Sequence, residues 1–342
     1  MEPTMEKAEP PRSSTPSWFA ADPSKAYYEK LSLVWAPISM LVLLVGVLGT
    51  PLYKYCDRNS YLLITVLACL PGIFIPVFFP CPADCGRPYA QRFWVKATVW
   101  IAIFGFYGNY FWTHYFYELL GAKYLFDSYR FNDVPLVTFT ATFFYFTFYF
   151  NFVNLILRRV ARFSATFPSF ARNLIWWANI AALAYGTAVF EAVSIQHFPL
   201  YTYTETEAFM VVGSVVYGLY FVIGFPMFFS LDEGVAPRTS VRGAATNALA
   251  ATAIVTLLLD LWRLMLGSIY EVGRSARIPV PFVYQGRECP EAPEGVAEVG
   301  SCSEQLTSCA EQASSWLYRK IMFSANLLQE KSTEVTRQYE HL

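Results

Sequence analysis

The chain has 342 residues, of which 55% are hydrophobic, 18% aromatic and only 15% charged. Disordered chains lack that much apolar surface, and 25 basic against 26 acidic residues leave no positive excess with which to hold nucleic acid. The apolar residues come in long runs with the charges gathered between them, which is the pattern of an integral membrane protein in contact with membrane lipid.

Residues 1–30 read as a polar N-terminal tail with no cleavable leader. Seven runs then reach the ~20 residues that a helix needs to cross a bilayer. They are 31–50, 61–80, 93–117, 134–157, 172–196, 207–229 and 243–267. None alternates strictly, so barrel strands are excluded. The fold expected is all-α: a polytopic membrane helix bundle of about seven transmembrane helices, filling residues 31–273. Pro71 and Pro76 should kink or break the second run, with neighbouring helices satisfying the freed carbonyls. Lys and Arg near the span ends number twelve on the N-terminal side and seven on the other, which puts the N-terminus in the cytosol.

Residues 274–342 read as a polar C-terminal tail. Cys289, Cys302 and Cys309 could pair there in an oxidising lumen. From Trp316 to Leu328 apolar residues recur at near-helical spacing, as in a helix lying on a membrane surface. Cys56, Cys69, Cys81 and Cys85 are expected as free thiols. The chain carries no Gly-rich phosphate loop, no His-Glu-x-x-His helix, no nucleophile elbow and no dinucleotide fingerprint. With His114, His197 and His341 its only histidines, a metal hydrolase or di-iron enzyme lacks ligands, and no metal site is expected. Nothing in the sequence names a protein partner.

A charge at mid-bilayer costs several kcal/mol, so it asks for a partner or a task. The third, fifth and seventh runs cross in the same direction. At 1.5 Å per residue, His114, Glu191, Asp260 and Arg263 fall near their exits and therefore in one leaflet. Those side chains are expected to face one interior pocket. Asp260 and Arg263, three apart, could instead simply neutralise each other. His114 stands among Tyr110, Trp112 and Tyr115, which an interfacial aromatic belt would also explain. Asn109 is either a helix contact or an anchor for a substrate hydroxyl. Asp232 and Glu233 read as a solvated helix end.

The stretch Gly108-Asn109-Tyr110-Phe111-Trp112-Thr113-His114-Tyr115-Phe116 resembles the signature of the cycloeucalenol cycloisomerases, or cyclopropylsterol isomerases. The stretches Asp22-Pro23-Ser24-Lys25, Arg92-Phe93-Trp94-Val95-Lys96-Ala97 and Asn132-Asp133-Val134-Pro135 are similar to the same family. So are Leu157-Arg158-Arg159, Phe225-Pro226-Met227-Phe228-Phe229 and Asp260-Leu261-Trp262-Arg263-Leu264. Order and spacing agree over about residues 18–267. His197 and Glu118 depart from the family pattern, as does the tail beyond Ile269.

The resemblance implies an isomerase of sterol biosynthesis in the endoplasmic reticulum, acting on a sterol substrate without a cofactor. Such enzymes open the 9β,19-cyclopropane ring of a 4α-methyl sterol by protonating carbon 19, leaving positive charge near carbon 9 and losing a proton from carbon 8. An acid, a base and something electron-rich beside the cation are then needed. A dry apolar pocket favours the protonated form of a carboxyl. Glu191 is the first choice as acid, Asp260 as base or relay held by Arg263, and His114 as a group that re-protonates the acid or binds the 3-hydroxyl. Tyr110, Trp112 and Trp262 are candidates to face the cation, with Tyr115 beside them. Two other readings share the features: a lipid or sterol carrier without chemistry, and a seven-span receptor.

Overall fold

The computed structural model describes residues 17–195, 201–202, 208–234 and 238–268, all within the unit Met1–Pro281. The C-terminal tail with its three cysteines, its surface helix, His197 and His341 lie outside the described residues.

The chain forms α1 (Pro23–Leu41), α2 (Arg58–Phe78), α3 (Phe93–Tyr107), α4 (Thr113–Leu120), α5 (Leu136–Phe163), α6 (Ser169–Ile195), α7 (Ser214–Phe229) and α8 (Val241–Leu266). Three π-helical segments are spliced into this set. Val42–Leu48 continues α1, Gly108–Trp112 joins α3 to α4, and Phe209–Gly213 leads into α7. Among the described residues the result is seven helical rods. Five of them are long and apolar enough to cross a membrane. The fold is therefore the expected all-α membrane bundle. Two short antiparallel pairs, β1 (Lys123–Tyr124) with β4 (Tyr201–Thr202) and β2 (Arg130–Phe131) with β3 (Val134–Pro135), tie the loops at one end.

Local chemistry sets the helix starts. Asp22 accepts from the N–H groups of Ser24 and Lys25 while Pro23 opens α1, and Asp57 accepts from Ser60 at 2.8 Å to open α2. Ser240 caps α8 through Gly243. At the other end of α4, Gly121 takes the left-handed conformation (φ 62°) that stops the helix.

Pro71 and Pro76 do not break α2, which runs through both. Trp35 Nε1 and Ser39 Oγ of α1 both donate to the carbonyl of Ala68, at 2.9 and 3.0 Å, on the turn that Pro71 weakens. The carbonyl that Pro71 leaves without its helix donor is that of Leu67, so these two bonds fall on the neighbouring residue of the same turn.

The middle of the bundle is aromatic. Trp100, Phe104, Phe150, Phe221, Phe225 and Phe228 are fully buried, with Trp100 and Phe104 stacked at 4.8 Å. α3 fits closely on α8 because the facing positions Ala244, Ala248 and Ala251 are small. Trp100 Nε1 to Asn247 Oδ1 and Trp112 Nε1 to Thr256 Oγ1, each 2.8 Å, fix the register of that pair.

At the end where α1 and α3 begin and α5 and α7 finish, charges converge. Arg158 reaches Glu29 at 2.7 Å and Glu233 at 2.5 Å, while Lys25 reaches Glu233 at 2.7 Å and donates to the carbonyls of Phe229 and Leu231. Lys96 pairs with Asp232 at 2.6 Å, and the Asp232 side chain is only 3% exposed. The expectation of a solvated helix end at Asp232 and Glu233 is therefore corrected. Cations from α1, α3 and α5 meet this turn, so burial is matched by pairing. Among the described residues Cys56, Cys69, Cys81 and Cys85 are free thiols, as expected.

Candidate active site

A π turn holds one residue more than an α turn, so each such segment shifts which side chains face inward after it. All three border one cavity of about 180 Å³. Leu43 and Leu48 come from the first segment, Gly108 and Asn109 from the second, and Phe209 and Gly213 from the third. α2, α4, α5, α6, α7 and the loop at Tyr124 and Phe126 complete the wall.

Glu191 of α6 lines this cavity, flanked by Ala188 and Ala192, whose small side chains leave room in front of it. Among the described residues it is the one charged side chain in the wall. Tyr217 Oη donates to its Oε2 at 3.0 Å, and the buried Tyr149 interacts with the same carboxyl from α5. Tyr145, Phe146 and Tyr220 add aromatic surface to the wall. Asn109 is the main amide present. Its Nδ2 donates to Gly105 O at 2.7 Å and to Thr142 Oγ1 at 3.0 Å, and Thr142 also lines the cavity.

Of the other residues singled out in the sequence, none lines the cavity. His114 Nε2 lies 2.9 Å from Asn132 Nδ2, and its ring meets Tyr117 edge-on. Asp260 accepts from Tyr115 Oη at 3.3 Å and lies 4.0 Å from Arg263, whose Nε is held by Glu118 at 2.7 Å. The Asp260 side chain is 44% exposed. Tyr110 stacks on Phe106, Trp112 is buried against Phe104 and Tyr220, and Trp262 packs at the edge of the core. The expected pocket shared by His114, Glu191 and Asp260 is therefore not formed.

Thr113, Phe116 and Leu120, which follow Asn109 at helical spacing, form the cavity face of α4, and His114 and Tyr115 lie off that face. Sequence reasoning missed Tyr217, Tyr149 and Thr142. The available signal was Tyr217 and Tyr220, three apart on one face of an otherwise apolar run.

No family model matches the chain, and no solved structure matches it. A curated protein of Arabidopsis thaliana, "Cycloeucalenol cycloisomerase", is 38% identical to it over 278 residues. The match spans 81% of this chain and 95% of that protein. The chain belongs to the cycloeucalenol cycloisomerase family. It is accordingly an isomerase. In this cycloisomerase the stretch from Gly108 to Phe116 is the π segment and first turn of α4, and it gives the cavity Gly108, Asn109, Thr113 and Phe116. The stretches around Asp22, Lys96 and Arg158 instead build the buried ionic cluster at the other end.

Proposed function

We propose that this isomerase opens the 9β,19-cyclopropane ring of a cycloeucalenol-type sterol to give an obtusifoliol-type 8-ene, with Glu191 as the general acid. The observation that carries the reading is a single carboxyl in the wall of an otherwise uncharged cavity inside the bundle, held by a tyrosine. Protonating a ring carbon needs a strong acid that stays protonated until substrate arrives, and desolvation favours that form of any carboxyl. The aromatic wall offers electron-rich rings to the cation that follows. Asn109 and Thr142 are polar partners for the sterol hydroxyl. A sterol carrier has no use for a carboxyl there. The charge bias of the loops supports a cytosolic N-terminus, and the sterol chemistry an endoplasmic reticulum membrane.

The test is to incubate membranes carrying the protein with cyclopropyl sterol, without added nucleotide, metal or oxygen. Ring-opened 8-ene is expected, and in heavy water its new methyl carries deuterium. Strict dependence on a nicotinamide cofactor would overturn the reading. Glu191→Gln keeps size and hydrogen bonding but has no proton to give, so turnover should fall by about 10²–10⁴-fold with sterol binding retained. Normal turnover in that variant would remove Glu191 from the mechanism.

A further inference from the structure

Ring opening consumes one proton at carbon 19 and releases one at carbon 8. The two need not involve two residues. Both carbons are bonded to carbon 9, so a group that reaches one is close to the other. Among the described residues the cavity wall holds one carboxyl and no His, Lys, Arg or Cys. Its other titratable side chains are tyrosines, and a neutral phenol is a poor base at pH 7 because its ordinary pKa is about 10. The other acidic and imidazole candidates among the described residues are engaged elsewhere: Asp260 with Tyr115 and Arg263, Glu118 with Arg263, His114 beside Asn132.

From this arrangement we infer that Glu191 is both acid and base, and that one oxygen, Oε1, gives the proton to carbon 19 and takes the next from carbon 8. The inference rests on the ring-opening reading above. The electron pair of the bond between carbons 9 and 19 takes the proton from Oε1, leaving a carboxylate and an electron-deficient carbon 9. The pair of the carbon 8–hydrogen bond then moves in to make the double bond between carbons 8 and 9. Its proton passes to Oε1. The enzyme ends each cycle in the protonation state in which it began, and nothing is oxidised or reduced. Tyr217 makes this possible as a positioning residue. Its hydroxyl can donate to Oε2 whether the carboxyl is neutral or ionised, so the carboxyl need not turn between the two transfers. Tyr217 holds Oε2 and so leaves the other oxygen for the transfers.

The experiment compares four variants of the full chain in membranes: Asp260→Asn, Asp260→Thr, His114→Gln and Tyr217→Phe. Activity is expressed per mole of folded protein, measured by thermal melting in detergent, and the products are analysed for double-bond position. For the first three the expected result is a kcat within about threefold of the parent and the 8-ene as the product, because none of these side chains reaches the cavity. Asp260 is changed twice so that one folding failure leaves a second reading. For Tyr217→Phe, kcat should fall about tenfold at unchanged KM, whereas a purely structural role would lower the melting temperature and leave kcat per folded molecule alone. A kcat loss above threefold in a folded Asp260 or His114 variant, or alkene isomers from a cation that has lost its base, would overturn the single-carboxyl scheme. If instead Glu191→Gln turns over normally, it is the reading of the site itself that fails.

Discussion

Glu191 depends on the size of its neighbours. Ala188 and Ala192 lie on the same cavity wall, and a larger side chain at either would occupy the space in front of the carboxyl. Ala192→Leu should therefore raise the KM for sterol at least tenfold with little change in melting temperature, since the added carbons enter open volume rather than packed core. The opposite holds at Gly72. A Cβ there would meet the Trp35 ring at 2.5 Å, and Trp35 cannot retreat without giving up its bond to Ala68 O. Gly72→Ala should cost about 1–3 kcal/mol by overpacking, read as a lower midpoint on denaturant unfolding in detergent. Glu191 and Asn109 were legible in the sequence because an acid and an amide stand out in apolar runs. Tyr217 and Tyr149 were not, because two tyrosines among 23 carry no contrast. Lys25 and Arg158 counted toward orientation and the family resemblance but not as buried partners, although each is buried in an ion pair.

The helical rods follow from hydropathy, so their order was readable, but α1 starts at Pro23, inside the stretch read as a polar tail, because Asp22 and Pro23 open a helix that hydropathy alone does not mark. The π segments were not readable either, because one extra residue in a turn leaves average hydropathy unchanged. Their effect is still large. All three contribute residues to the cavity wall, where depth along the span had suggested His114 but Thr113, Phe116 and Leu120 stand. Deleting one residue from the segment Gly108–Trp112, such as the exposed Phe111, should restore an α turn and rotate α4 by about 100° relative to α3. Helicity measured by far-ultraviolet circular dichroism should stay near the parent value while turnover falls by at least about 100-fold. Retained activity would mean that the segment does not set the wall.

The whole bundle is clasped at one end by the cluster of Lys25, Glu29, Arg158 and Glu233. Removing one member leaves the others charged and buried, so Arg158→Met should destabilise the fold by about 3–5 kcal/mol. Glu233 lies beyond the end of α7. Burial by itself would raise its carboxyl, but the hydrogen bonds from Arg158 and the charge of Lys25 hold it below its ordinary 4.5. A carboxyl lowered in the folded state adds stability at pH above its unfolded value and loses it as pH falls through the folded one. The melting temperature should thus be level near pH 6 and decline below about 4.5, and Glu233→Gln should flatten that decline. An unchanged acid limb in the variant would place the sensitivity elsewhere.

The clasp also bears on how the chain is made. Lys25 and Glu29 on α1 leave the ribosome well before their partners: Arg158 follows Glu29 by 129 residues, and Leu231, whose carbonyl Lys25 uses, follows Lys25 by 206. At synthesis rates of ~5–20 residues per second, Glu29 waits roughly 6–26 seconds and Lys25 roughly 10–40 seconds for their partners. A helix with an unmatched lysine and glutamate settles poorly in hydrocarbon. The newborn α1 should therefore linger at the interface or beside the insertion machinery until α5 and the turn after α7 have emerged. Nascent chains cut short before residue 231 should accordingly be extracted from membranes by alkaline carbonate more readily than the 342-residue chain.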